Sequence, residues 1–235
     1  LVDTMRKHRV DGLLVSLSKN TNSYSHFDAL KKYGIPVVFF DRVPDMPDVF
    51  SVSCNLKDSS VQLVDWLVSK GHKQIGFIKG PVTMGPTTER LNGYLEALKK
   101  NKIAVDMSYV APTDLSREQT IAAMKQLLSL KKRPTAIIAF NDYIALDAIK
   151  YARQQGLRIN KDLFFVSYAN LPMTSYLDDP PLASIEQFPY EQAEKATELL
   201  LQLINIKSGQ PMPAKKIVLQ GKLMVHEDKS VRARK

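Results

Sequence analysis

The residues best placed to do chemistry are polar side chains that follow short apolar runs. Ser16 and Ser18 close the run 12–17, and Asp41-Arg42 closes the run 36–40. Lys79 to Thr83 follow 75–78, and Thr113-Asp114 follow 108–111. Asn141-Asp142 and Ala169-Asn170 close 135–140 and 163–168. In open α/β sheets ligands sit outside the carboxyl ends of the strands. A set rich in Ser, Asp, Asn and Arg suits a hydroxyl- or amide-bearing ligand, because each buried polar partner must be matched. The competing reading is that Ser, Asn and Asp cap the helices that follow.

Catalytic signatures are absent from the sequence: it has no G-x-S-x-G, H-E-x-x-H, G-x-G-x-x-G or Walker-type lysine motif. Gly80 and Gly85 have phosphate-loop spacing, but Pro86 stands where lysine is required. His8, His26, His72 and His226 are scattered without metal-like spacing, and His72, after the helix stop at Gly71, reads as a surface or capping residue. Cys54 is the single cysteine, which excludes an intrachain disulfide and suits a small buried hydrophobe. No cofactor is expected.

The elements that must position these groups alternate. The runs are rich in Val, Ile, Leu and Phe, as in parallel strands buried on both faces, with weaker strands at 50–54 and 108–111. Between them lie amphipathic stretches at 58–69, 89–100, 116–130, 142–155 and 190–206. That alternation predicts βαβ units and doubly wound parallel sheets. It breaks near 51–55 and near 182–187, after which one long helix and one final strand, 216–225, remain. The long helix is expected on the lobe that holds 12–17, with the final strand returning to the other lobe.

The 235 residues are enough for one large domain or two α/β lobes. No apolar run approaches the roughly 20 residues of a membrane span. The formal net charge is +9, yet residues 1–55 carry 7 Lys/Arg against 6 Asp/Glu, and the excess is spread along the chain. Only Lys131-Lys132-Arg133 and a tail with Lys229, Arg232, Arg234 and Lys235 cluster, so this chain alone is not expected to bind duplex DNA specifically.

The segments VDGLLVSLS, IPVVFFDR, KGHKQIGFIKGP, RLNGYLEAL, PTAIIAFNDYIALDAIKYARQQGLRI and FFVSYAN with PPLASIEQ resemble successive blocks of the LacI/GalR bacterial transcription regulators. The resemblance runs from about Val10 to about Val225. It implies two parallel-sheet lobes of the periplasmic-binding-protein type, joined by three crossover strands near Cys54, Ile185 and Val218, with an effector cleft between them. The N-terminal lobe would comprise 1–54 and 186–218, the C-terminal lobe 55–185 and 219–235. The resemblance also implies a cytoplasmic homodimer, a small-molecule effector such as a sugar, no catalysis, no membrane partner, and operator DNA bound through a helix-turn-helix headpiece upstream of Leu1. The chain opens inside what reads as a helix, so the first strand–helix–strand of the N-terminal lobe is expected upstream too. The alternative within the same fold is a periplasmic sugar-binding transport receptor.

Residue by residue, the resemblance assigns ligand-facing positions to Ser16, Asp41, Arg90, Leu115, Asn141 and Asn170. Leu115 stands where relatives often place an aromatic, and Ala169 where many sugar-binding members have Asp. Replacing Arg90 by Ala is expected to weaken effector binding and to leave folding nearly intact.

Overall fold

The computed structural model describes residues 2–206 and 213–226. In chain order it begins α1 (Val2–Lys7), β1 (Leu13–Val15), α2 (Ser25–Lys32), β2 (Val37–Phe40), β3 (Phe50–Asn55) and α3 (Leu56–Ser69). Next come β4 (Ile75–Lys79), α4 (Gly85–Lys100), β5 (Val110–Pro112), α5 (Arg117–Leu128), β6 (Ala136–Ala139) and α6 (Asp142–Gln154). The chain ends with β7 (Phe164–Tyr168), β8 (Ala183–Glu186), α7 (Pro189–Asn205), β9 (Lys216–Gln220) and β10 (Lys222–Val225). It divides into two compact units, one of Leu1–Asn55, Thr83–Pro86 and Phe188–Leu219, the other of Leu56–Val82, Thr87–Gln187 and Gln220–Lys235.

The first unit is built on a four-stranded sheet in the order β1-β2-β3-β9, with β1, β2 and β3 parallel. Period-two alternation along β2 gives the sheet two apolar faces. Phe39 packs with Leu17, Phe27, Leu30 and Val49, whereas Val38 joins Val52 and the α7 residues Ala196 and Leu199. The long helix α7 therefore lies on the sheet that contains β1, as its late position in the sequence required. Pro189 opens it, where a missing N–H costs nothing.

The second unit carries a six-stranded sheet in the order β10-β8-β7-β6-β4-β5. Five strands are parallel, and β10 runs antiparallel to β8 at one edge. One face buries Phe77, Ile138, Val166 and Ile185 against Leu63, Leu67, Tyr94 and Leu98 of α3 and α4. Alternate residues face the other way, and α5 and α6 pack against β5, β6 and β7. Both units are thus α/β with parallel sheets.

Four local expectations need correction. The segment 216–225 is two strands in two sheets, parted at Gly221, whose carbonyl accepts from Gln62 Nε2 at 3.2 Å. The helix expected from 89 begins at Gly85, because Pro86 occupies its first turn, where proline is tolerated. His72 is buried rather than exposed: its Nδ1 lies 2.9 Å from Thr135 Oγ1 and its ring centroid 4.5 Å from that of Phe164. The fourth concerns charge, which the fold gathers and the sequence disperses. The segments leading into β4, β5, β6 and β7 (70–74, 99–109, 129–135 and 155–163) hold ten lysines and arginines and two carboxylates. The tail cluster lies outside the described residues.

Burial lowers the His72 pKa below its ordinary value of 6.5. The unfolded chain then takes up a proton at a pH where the folded chain does not, so stability is present above 6.5 and falls as pH drops toward the folded value. His72→Gln should flatten that decline below pH 6.5 in urea titrations, and an unchanged slope would rule His72 out as its source.

Candidate ligand-binding site

In the first unit, parallel pairing of β1 and β2 brings Ser16 and Asp41 out side by side. Ser16 Oγ donates to Asp41 Oδ2 at 3.3 Å, and Arg42 Nε donates to Ser16 Oγ at 3.2 Å while lying 3.4 Å from the same carboxylate oxygen. Asp41 and Arg42 keep 42% and 38% of their side-chain surface exposed, so this ion pair contributes little to stability and can open toward a ligand. Gln192, buried on α7, accepts the Asp41 backbone N–H at 3.2 Å. Beside the cluster lies a cleft lined by Ser18, Tyr24, Arg42 and Thr83, with about 20 Å³ of free volume, room for about one water.

In the second unit, Arg90 is 5% exposed. Its Nη1 donates to the Phe140 carbonyl at 2.8 Å and its Nη2 to Gln187 Oε1 at 2.9 Å. The guanidinium carbon sits 4.4 Å from the Phe140 ring centroid and 4.3 Å from that of Tyr168. A cation between two desolvated rings is held strongly. Tyr168 bonds Ser60 in turn; burial pushes its hydroxyl pKa up to about 12, with the Arg90 charge and the Ser60 bond opposing. Arg90 is therefore part of the second unit's packing at the ends of β6 and β7. The expectation of intact folding in Arg90→Ala gives way to a loss of about 2 kcal/mol, within the range for hydrogen bonds to a charged group. A denaturant midpoint equal to that of the parent chain would contradict it.

Asn141 caps α6, its Oδ1 accepting from the Ile144 N–H at 3.0 Å. Asn170 Nδ2 donates to Glu186 Oε2 at 2.9 Å, its Oδ1 lies 3.0 Å from His226 Nε2, and its backbone N–H donates to Ser184 Oγ at 2.9 Å. Leu115 stands apart after β5, half-buried, its N–H donating to Thr113 Oγ1 at 3.1 Å.

Asp142, beside Asn141, is fully buried and ties the strand ends together. Oδ1 accepts from Ser167 Oγ and, at 2.9 Å, from Ser184 Oγ; Oδ2 accepts the Leu171 N–H at 2.6 Å. Burial raises its pKa, with these three bonds and the charge of His226 opposing.

Four non-glycine residues at the strand ends have left-handed backbones: Asp41 (φ 58°), Leu115 (φ 74°), Ala169 (φ 97°) and Asn170 (φ 48°). Such conformations are uncommon outside glycine and cluster where a chain positions a ligand. Arg42, Asp142, Gln187 and Gln192 complete these clusters. Arg42 and Asp142 stand among the polar residues that close the apolar runs but not among the positions the resemblance assigns to the ligand, and nothing in the sequence marks Gln187 or Gln192.

Residues 64–227 match the family described as periplasmic binding protein-like domain. The HTH-type transcriptional repressor CytR of Escherichia coli (strain K12) is 31% identical over 94% of this chain and 64% of its own length. A regulatory protein of the LacI family from Chloroflexus aggregans superposes with a TM-score of 0.82 at 30% identity, over 96% of this chain and 79% of that one. The chain belongs to the LacI/GalR family. The structure of the transcriptional regulator CelR in complex with cellobiose has a TM-score of 0.85 at 26% identity, covering 95% of this chain and 67% of that one. Within the LacI/GalR family, then, this chain supplies the periplasmic binding protein-like part and spans 64% of the length of its curated relative CytR. Among the described residues no helix is long and apolar enough to cross a membrane.

Proposed function

We propose that this chain senses a small polar effector, a sugar or sugar derivative, for a transcriptional regulator that binds operator DNA through a separate helix-turn-helix domain. The observation that carries this reading is the set of hydrogen-bonding side chains at the carboxyl ends of the parallel strands. Ser16, Asp41 and Arg42 offer acceptors and donors at one sheet, with Asn141 and Asn170 at the other. The left-handed residues at the same ends support it. CelR, a structural neighbour, was solved with cellobiose, which favours a carbohydrate. Kinship with named repressors rather than transport receptors supports regulation by a cytoplasmic homodimer, without catalysis.

Thermal-shift titration with mono- and disaccharides, nucleosides and nucleobases tests the reading. A ligand at 100 times its Kd stabilises the folded state by about 2.7 kcal/mol. Asp41→Ala should cost the free protein only about 1–2 kcal/mol, the strain of alanine at a left-handed backbone, because the exposed ion pair itself adds little. It should weaken the effector by about 1.5–3 kcal/mol, the worth of a hydrogen bond to a charged group. No shift with any compound, or undiminished binding by Asp41→Ala, would overturn the assignment.

A further inference from the structure

The amino-terminal edge of the six-stranded sheet is where the second unit concentrates positive charge, opposite in strand direction to the residues of the proposed effector site. Lys70 and Lys73 precede β4, and Lys99, Lys100 and Lys102 precede β5. Lys131, Lys132 and Arg133 precede β6, and Arg158 and Lys161 precede β7. All ten side chains belong to exposed residues. The segments are joined edge to edge: Tyr109 donates to the Lys132 carbonyl at 2.5 Å, Thr135 N–H to the Gln74 carbonyl at 2.8 Å, and Phe164 N–H to the Thr135 carbonyl at 3.0 Å. The four basic segments therefore adjoin along this edge.

Two ordinary explanations fall short. Cations near helix C-termini offset the helix dipole, and α3, α4, α5 and α6 all end at this edge. One cation per helix meets that need; three follow α5 within 131–133 alone. Salt bridges do not consume the excess either. Among the described residues only Lys100, with Asp65, and Arg158, with Asp162, form them.

We propose that this edge binds the phosphate backbone of duplex nucleic acid without reading its sequence. The composition fits phosphate better than a protein partner. Eight of the ten are lysines, which bind phosphate as point charges on flexible stems, whereas protein interfaces are depleted in lysine and enriched in aromatics. Four adjacent segments along β7-β6-β4-β5 spread the charge over three inter-strand spacings, about 14 Å. A duplex presents one phosphate charge per about 1.7 Å of axis, so several contacts form at once. This proposal stands independently of the effector reading, since it concerns the opposite ends of the strands.

The test is fluorescence anisotropy of a random-sequence 20-base-pair duplex titrated with the 235-residue chain at several salt concentrations. The expected Kd at physiological salt is on the order of 10⁻⁴–10⁻⁵ M, tightening steeply as salt falls, and independent of duplex sequence. Lys102→Glu, Lys131→Glu and Lys132→Glu together should weaken binding at least about tenfold at low salt and flatten the salt slope by about three phosphates. Reversal of Lys31, Lys32 and Lys215 in the first unit changes net charge equally and should have little effect. Neutralising Lys229, Arg232, Arg234 and Lys235 with Gln should also leave most of the affinity. The proposal is wrong if the duplex fails to bind at low salt, if the first-unit or tail variants lose as much affinity as the edge variant, or if only phosphatidylserine vesicles bind. Unchanged thermal midpoints in the variants confirm that binding, not folding, has been altered.

Discussion

Gly93→Ala should destabilise the chain by at least about 3 kcal/mol, at or beyond the upper end of ordinary overpacking. Gly93 lies in α4 where that helix crosses α3, and a methyl group there would fall far inside contact distance of the Lys57 carbonyl oxygen and 2.7 Å from Ser60 Cβ. The obstacle is helix backbone, which cannot rotate aside as a long side chain would. Separating the helices would disturb the contacts of Leu63, Tyr94 and Ala97 and the Ser60–Tyr168 bond. Arg90, one turn earlier on α4, should loosen with them. Urea midpoints of Gly93→Ala and Gly93→Ser, with the larger side chain costing more, check the account. A variant as stable as the parent would show that the helices approach less closely.

Asp142→Ala should cost about 3 kcal/mol, whereas Asp142→Asn should lose much less. Alanine leaves the Leu171 N–H without its acceptor and strips both serine hydroxyls of their common partner in a buried site. Asparagine keeps one oxygen for Leu171 and offers an amide to the hydroxyls, which can accept as well as donate. The pH dependence has a definite sign. Because burial raises the folded pKa of Asp142, its protonated form is the one favoured in the folded state. That contribution is fully present below the unfolded value of 3.8 and is lost as pH rises through the higher folded value. Asp142→Asn should remove it. Equal losses in the two variants would mean that the carboxylate fills space rather than ordering the loop after β7.

Where the chain's local chemistry decided the outcome, the fold was legible. Runs such as Ile75 to Lys79 and Phe164 to Tyr168 are too apolar for an exposed face, and they became strands buried on both sides. The misreadings came from residues whose meaning depends on distant neighbours. Gly221 sits in an apolar stretch where it could mark a bulge as easily as a boundary; only the pairing of β10 with β8 decides. His72 is covered by Phe164, far along the chain. The charges looked dispersed because each βα unit returns the chain to the same sheet edge after some thirty residues, so cations far apart in sequence come to adjacent segments of one edge. At the site, Ser16 and Asp41 could be expected as neighbours because consecutive parallel strands usually pair. The aromatic clamp on Arg90 could not, since Phe140 and Tyr168 looked like ordinary strand residues until the sheet brought them together.

The left-handed backbone at Asp41, Ala169 and Asn170 bears on how such a sensor evolves. At these positions mutation is screened first by conformation and only then by ligand. Gly, Asn and Asp pass with little strain, and β-branched residues do not. The accessible repertoire is therefore biased toward short side chains able to accept or donate a hydrogen bond. Exchange of Ala169 for Asp would suit the backbone and add a carboxylate able to accept from a ligand hydroxyl. The strands, and the buried Asp142 that anchors them, need not change while the recognised molecule does.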